Sequence, residues 1–418
     1  MRAAITILED LLTQAVNFHD ENSRERWSVW LHETAEAEAL ADQAQSYGVR
    51  RALIYDYTLQ QERSTEFHSP LLKDNNELWV ATVAIKRGPW ETGSEVTVSS
   101  PPATLPVGQT WDLSATGGNE SGGTLDGRIS ELRFKANSAA GTGNPYRMWF
   151  AIGEHYLGIY DYAMTLNPAS ADVTPLDGGA NVYDVFDSTL ALDVAEIDFA
   201  GFGESLKFAL TRKSTTPYFM VGKHLGLLVA RNTVANTVTR LRLSASFKSP
   251  ADTAGSGTYT YVFANEEEIT DDAWHIIDAG VLQLPPSQRS VEPLNNMLNA
   301  NLYLNIEAER LSGTGNLRLA TLFLLPAERR LFIDHAPVAA GSDVVSVYTT
   351  ENGSVEAHIK DTAGAVELPP VEPVNWRWPK DGGVLYFLAE RATGYNRNDE
   401  IDNIQLQWYP RWRSYRND

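Results

Sequence analysis

The 418-residue chain contains no cysteine. Disulfide scaffolds, thiol catalysis, zinc ribbons and iron–sulfur clusters are thereby excluded together, and stability has to come from packing or assembly. The missing thiols leave the compartment open, since a reduced cytosol and an exposed particle surface both tolerate their absence. Basic residues are scarce: 34 Lys and Arg stand against 54 Asp and Glu, a formal net charge of −20. A chain of that sign lacks the electrostatic footprint of a nucleic-acid binder. Long apolar runs are missing as well. The greasiest stretches, such as Leu225 to Ala230 and Leu322 to Pro326, are far shorter than the roughly 20 residues that span a bilayer, and they read as buried strands. The opening residues place Glu9 and Asp10 where a signal peptide carries its apolar run, so a secretory route is not expected.

Catalytic and metal signatures are also absent. There is no Gly-x-Ser-x-Gly elbow, Walker loop, His-Glu-x-x-His or dinucleotide fingerprint, and the eight His are scattered. His155, His224 and His275 are isolated and read as hydrogen-bonded structural groups. Two acidic clusters hold enough oxygen ligands to draw a hard cation, but Asn396 to Asn403 departs from calcium-loop spacing and reads as a solvated turn. Glu266-Glu267-Glu268 with Asp271-Asp272 reads as a solvated loop. Glycoside hydrolysis needs two carboxyl groups about 5 to 9.5 Å apart, and a sequence with 54 acids does not single out such a pair. No catalytic, cofactor-binding or metal-binding residue is assigned, and the chain is expected not to be an enzyme.

What is present is the composition of a multidomain globular β protein. Hydrophobic residues at 43% and charged residues at 21% exclude wholesale disorder, and abundant Trp and Tyr with 30 Gly and 20 Pro suit many short strands joined by tight turns. Helical periodicity is confined to the first 50 residues, over about 7 to 18 and from Glu33 to Tyr47. Strand alternation follows in Trp27 to Leu31, Arg51 to Leu59 and Leu78 to Lys86. The expected organisation is a small α+β module over 1–92, a linker over 93–110, an antiparallel, jelly-roll-like β-sandwich over 111–345, and a C-terminal β segment over 346–418 that can pair back with the first module.

Several local expectations are sharp. Leu241, Leu243, Ala245 and Phe247 alternate with Arg240, Arg242, Ser244 and Ser246 as one half-buried strand. Leu302 to Ala308 and Leu317 to Phe323, separated by Ser312-Gly313-Thr314-Gly315, read as an antiparallel hairpin, and Asn352-Gly353 and Asp381-Gly382-Gly383 read as hairpin turns. Gly88-Pro89-Trp90 reads as a strand stop, and Tyr409-Pro410-Arg411-Trp412 as its C-terminal counterpart. Trp149 and Trp274 read as core. Trp376 and Trp378 share one face of a strand, either buried between domains or presented to a partner. Trp408, Tyr409, Arg411 and Trp412 combine aromatics with Arg, either packing back on the parent domain or forming an interface.

Three stretches, Leu78 to Glu91, Trp274 to Pro285 with Leu322 to Pro326, and Trp408 to Trp412, resemble virion proteins of tailed bacteriophages, of the distal-tail, baseplate and minor-tail type, with a carbohydrate-module-like sandwich inserted. The resemblance implies a ring or lattice of identical subunits without intrinsic catalysis. It also implies residence in the virion tail after folding in the host cytoplasm, other virion tail proteins as partners, homo-oligomerisation, and contact with a host surface glycan. It implies no cofactor, no nucleic-acid partner and no membrane insertion. The alternative reading is a carbohydrate-binding module or adhesin that recognises host glycans through the β-sandwich.

Overall fold

The computed structural model of the chain describes residues 29–32, 49–63, 77–91, 95–98, 102, 104–113, 120–137, 145–154, 163–166, 173–175, 182–199, 205–212, 223–248, 259–283, 301–334, 344–349, 354–360 and 364–412. Among them the chain is almost wholly strand, in four antiparallel sheets, as the composition demands. Both expected helices lie outside the described residues. So do the glycine-rich clusters of the sequence at Gly117, Gly141, Asp177 and Gly255, and the expected turn at Asn352-Gly353, although Thr349 and Val355 pair across the last of these.

The first pair of sheets is built from both ends of the chain. An eleven-stranded sheet runs Val29–His32, Val49–Arg63, Glu77–Glu91, Glu400–Trp412, Leu125–Asn137, Val344–Thr349, Val355–Lys360 and Val366–Glu367, with three short strands beside this path. A five-stranded sheet runs Val371–Val374, Arg330–Ile333, Pro145–Glu154, Gly383–Arg391 and Thr110–Asp112. The two meet through aromatic rings. Phe134 of the larger sheet lies 5.2 Å from Phe150 of the smaller, and Phe150 lies 5.1 Å from Phe387. All three are fully buried, so this seam is the core of one sandwich.

Prolines that were expected to stop strands are absorbed instead. Glu77–Glu91 continues through Pro89 because the register slips between Arg50 and Ala52 of its partner, and Glu400–Trp412 continues through Pro410 with a slip between Tyr409 and Arg411. An irregularity of this kind lets a residue without an N–H pass along a ladder. Past these slips Arg411 pairs with Glu91 and Trp412 with Trp90.

Between Glu154 and Arg330 the chain builds a second sandwich. Its six-stranded sheet runs Val182–Asp187, Leu192–Ile197, Leu317–Pro326, Lys223–Asn232 and His275–Gln283, with Ala163–Thr165 on Leu317–Pro326. Its five-stranded sheet runs Val173–Pro175, Ser205–Arg212, Asn301–Ser312, Val238–Lys248 and Tyr259–Ile269. The alternation at 240–243 holds: Leu241 and Leu243 are buried while Arg242 is exposed. The expected hairpin does not form. Asn301–Ser312 pairs with Ser205–Arg212 and Val238–Lys248, whereas Leu317–Pro326 belongs to the other sheet. The turn between them is a crossing from sheet to sheet. Gly313 takes φ +81° there, and a Cβ on it would stand 2.6 Å from the Thr237 Cα. Leu319 to Leu325 is buried at every position, the signature of a central strand covered on both faces, which alternation alone does not reveal. Asp381-Gly382-Gly383 is a crossing too: Arg377–Trp378 pairs in the eleven-stranded sheet and Gly383–Arg391 in the five-stranded one.

Candidate functional site

A cleft of about 390 Å³ opens where the two sandwiches meet. Its floor is the face of the five-stranded sheet opposite Phe150. Along Pro145–Glu154 the period of two sends Met148 and Phe150 into the aromatic core and Arg147 and Trp149 to the other side. Register then decides the neighbours. Phe332 lies directly opposite Trp149, and Glu390 directly opposite Arg147. Trp149 and Phe332 accordingly stack with centroids 5.0 Å apart and planes 29° apart, and the Arg147 guanidinium stands 5.3 Å from the Trp149 ring centre. Trp149 is buried beneath these neighbours, so the half-buried Phe332 is the apolar platform of the cleft.

The second sandwich supplies His275 and Asp278 from His275–Gln283. Glu390, only 2% exposed, ties the two bodies together at the cleft. It accepts hydrogen bonds from Arg147 Nη2, from His275 Nδ1 at 2.7 Å and from the Ile276 N–H at 3.3 Å. Arg147 also donates to the Ile276 carbonyl at 3.2 Å. The other imidazole nitrogen, Nε2, lies 2.8 Å from Asp271 Oδ1. A carboxylate on each nitrogen favours the imidazolium form of the ring. The hydrogen bond to Glu390, with the charges of Glu390 and Asp271, raises the His275 pKa against the opposing effect of burial.

Asp278 is shifted upward as well. Burial is the main cause, with Glu372 adding to it, while the Gly280 N–H at 2.7 Å, Arg330 and Arg147 pull the other way. Glu267 is raised by burial and by Asp278. The cleft is completed by Asp334, Arg391 and Ala392. Arg391 is engaged by a buried two-point ion pair with Asp399, whose Oδ2 accepts from Nε at 2.7 Å. This pair corrects the reading of Asn396 to Asn403 as a solvated turn, because Asp399 is 1% exposed. Glu266 to Glu268 belong to a strand rather than a loop, with Glu268 paired to Arg240 at 3.1 Å. Among the described residues no group of three or more His, Cys, Asp or Glu could hold a metal ion.

The aromatic residues singled out in the sequence lie elsewhere. Trp376 and Trp378 do share a face, with the exposed Arg377 between them, but that face is turned into the chain's own core, where Trp376 is 4% and Trp378 0% exposed. Trp378 stacks on Trp408 at 5.1 Å and 22°, and the Trp408 indole N–H donates to the Ser121 carbonyl at 3.2 Å. These three indoles are packing residues of the folded chain rather than a surface offered to a partner. Arg411 is also buried, within 3.5 Å of the Asp126 carbonyl. Tyr409 is half-buried under the Arg128 guanidinium at 4.5 Å. Trp412 is placed by its backbone pairing with Trp90. Trp274 is core, as expected, donating to Asp187 at 3.4 Å. His155 lies outside the described residues and His224 is buried.

No family model and no curated protein matches the chain. Solved structures similar to it include one described as a putative sugar binding protein from Bacteroides thetaiotaomicron VPI-5482, 14% identical, with a TM-score of 0.24 over 40% of this chain and 89% of that one. The VP2 subviral particle of infectious bursal disease virus is 9% identical, with a TM-score of 0.19 over 68% of this chain and 66% of that one. The Gx strain of the same virus gives 10% identity and a TM-score of 0.19 over 68% and 65%. Likenesses this slight carry no argument about what this chain does. No helix among the described residues is long and apolar enough to cross a membrane.

Proposed function

We propose that this chain is a non-catalytic structural subunit of a virus particle, of the tail type that the sequence resembles, and that it assembles with copies of itself and with neighbouring tail proteins through open sheet edges. One observation carries the reading. Seven large apolar side chains are exposed among the described residues, and five of them sit on or beside a strand that ends a sheet. Phe186 at 64% and Tyr183 at 49% lie on Val182–Asp187, the last strand of the six-stranded sheet. Val366 and Leu368 lie at the end of the eleven-stranded sheet, and Val374 on the end strand of the five-stranded one. An edge presents unpaired backbone donors and acceptors, and apolar side chains on it favour burial against another chain. A protein meant to stay alone covers or charges such edges; one meant to assemble keeps them until a neighbour arrives.

Immunogold electron microscopy on particles purified from the producing culture tests the reading. Label at one fixed position, such as the tail tip, is the expected result. If intact and disrupted particles both stay unlabelled while the free protein is recognised by the same antibody, the reading falls.

A further inference from the structure

We propose that the cleft between the sandwiches is a binding site for a neutral saccharide ring, seated on Phe332 and hydrogen-bonded by Asp278 and Arg147. This goes beyond the assembly reading and does not depend on it. The chemistry follows from what the cleft offers. A pyranose presents an apolar C–H face and a rim of hydroxyls that both donate and accept. Phe332 supplies a ring already fixed in place by Trp149 behind it, so little side-chain entropy is lost when a flat apolar face settles on it. Asp278 supplies acceptors: one oxygen takes the Gly280 N–H at 2.7 Å, and a carboxylate has about four lone-pair sites in all. Arg147 has five N–H donors, of which the Nη2 group serves Glu390 and the Ile276 carbonyl.

Charge decides between classes of sugar. Asp278, Asp334 and Glu390 line the cleft, with Asp271, Glu267 and Glu372 around it, against Arg147, Arg391 and His275 in the cleft and Arg330 near Asp278. Arg391 and His275 are each committed to carboxylates of the protein itself. Acidic groups therefore outnumber cationic ones around the cleft, and a uronic or sialic acid would meet that acidic surround. The volume of about 390 Å³ falls at the small end of ligand pockets, suited to one or two sugar rings.

The test is saturation-transfer NMR on the full chain with maltose, cellobiose, lactose and N,N′-diacetylchitobiose at millimolar concentration, beside glucuronate and sialyllactose. At least one neutral disaccharide is expected to give transfer, with its affinity lowered about tenfold in Phe332→Ala and retained in Phe332→Tyr. Asp278→Asn serves as the second variant, expected to weaken binding by a similar factor, and thermal melting establishes that each variant folds. Transfer to none of the neutral sugars, transfer only to the anionic ones, or binding unchanged in a folded Phe332→Ala variant would each overturn the proposal. Because the readout uses the free subunit, its failure is separate from a failure of particle labelling.

Discussion

The two sandwiches solve the same problem with different materials. The one made from the chain ends is closed by rings: Phe134, Phe150 and Phe387 across its middle and the Trp378–Trp408 stack at one end. The one between Glu154 and Arg330 carries mainly aliphatic faces, Leu225, Leu227, Leu322, Leu324 and Leu325 among them, and is fastened by buried polar groups. Asn232 donates to the Thr237 and Ile269 carbonyls at 2.7 and 3.0 Å and accepts from Thr239 Oγ1 at 2.7 Å, joining its two sheets. Asp187 is fixed by Arg231 at 2.6 Å and Arg318 at 3.1 Å. Burial alone would push the Asp187 carboxyl up, but the Leu190 N–H, Arg231, Trp274 and the Thr189 N–H outweigh it and hold its pKa below the usual value. Rings supply large area without directional demands, whereas polar fasteners fix one register and are costly when half removed.

Removing a ring should therefore produce the largest loss. Trp378→Ala opens a cavity in a fully buried stack, and a loss of about 3–5 kcal/mol is expected. Urea unfolding gives the magnitude, and amide exchange locates it: peptides from 125–137 and 400–412 should exchange faster while those from 223–248 keep their protection. A loss below about 1 kcal/mol, or faster exchange in both sandwiches alike, would remove the distinction drawn between them.

The polar fastener should come next. Asn232→Ala leaves a hydroxyl and two carbonyls without their partner in the interior of the second sandwich, at a cost of about 2–3 kcal/mol. Here the protection pattern should reverse, with 238–248 and 259–269 opening first. Unchanged protection in those two strands would mean that the aliphatic faces alone hold the sheets together.

The tie between the sandwiches is sensitive to pH. His275 has a folded-state pKa raised above the unfolded value of about 6.5, so its contribution is complete below that value and is lost as pH rises through the folded pKa. Melting of the wild type should fall, relative to His275→Gln, on going from about pH 6 to pH 9, by an amount on the order of 1–2 kcal/mol in stability. Parallel pH profiles for the two proteins would show that the Glu390–His275–Asp271 arrangement contributes nothing to docking.

Legibility in the sequence differed between fold and site for a physical reason. Period-two alternation reports which face a residue takes, so Leu241 and Leu243 against Arg242 are readable, as is the strand over Leu78 to Lys86, though not its run on through Pro89. Alternation does not report which sheet a strand joins. That is why Leu302 to Ala308 and Leu317 to Phe323, neighbours in sequence, read as a hairpin although their strands lie on different layers. Trp376 and Trp378 share one face, as their spacing implies, but a shared face does not say whether solvent or core lies beyond it. The cleft had no local signature, since His275 and Glu390 are 115 residues apart and meet only through tertiary packing. A weaker signal was present: Arg147 inside Tyr146 to Phe150 and Glu390 after Leu388-Ala389 are charges in apolar strands, and a charge in a buried run requires a partner.

The smallest effect is expected where the polar contacts reach water. Arg240 lies on the outer face of the second sandwich, 3.1 Å from Glu268 and 3.8 Å from Glu309, with all three side chains more than a third exposed. Hydration already satisfies these groups in the unfolded chain, and ordering three long side chains offsets most of the Coulomb gain. Arg240→Ala should therefore shift stability by less than about 1 kcal/mol, and less still in high salt. Urea unfolding in low and high salt checks this. A loss as large as that of Asn232→Ala would mean that position in the sheet, rather than exclusion of water, sets the worth of a polar contact in this sandwich.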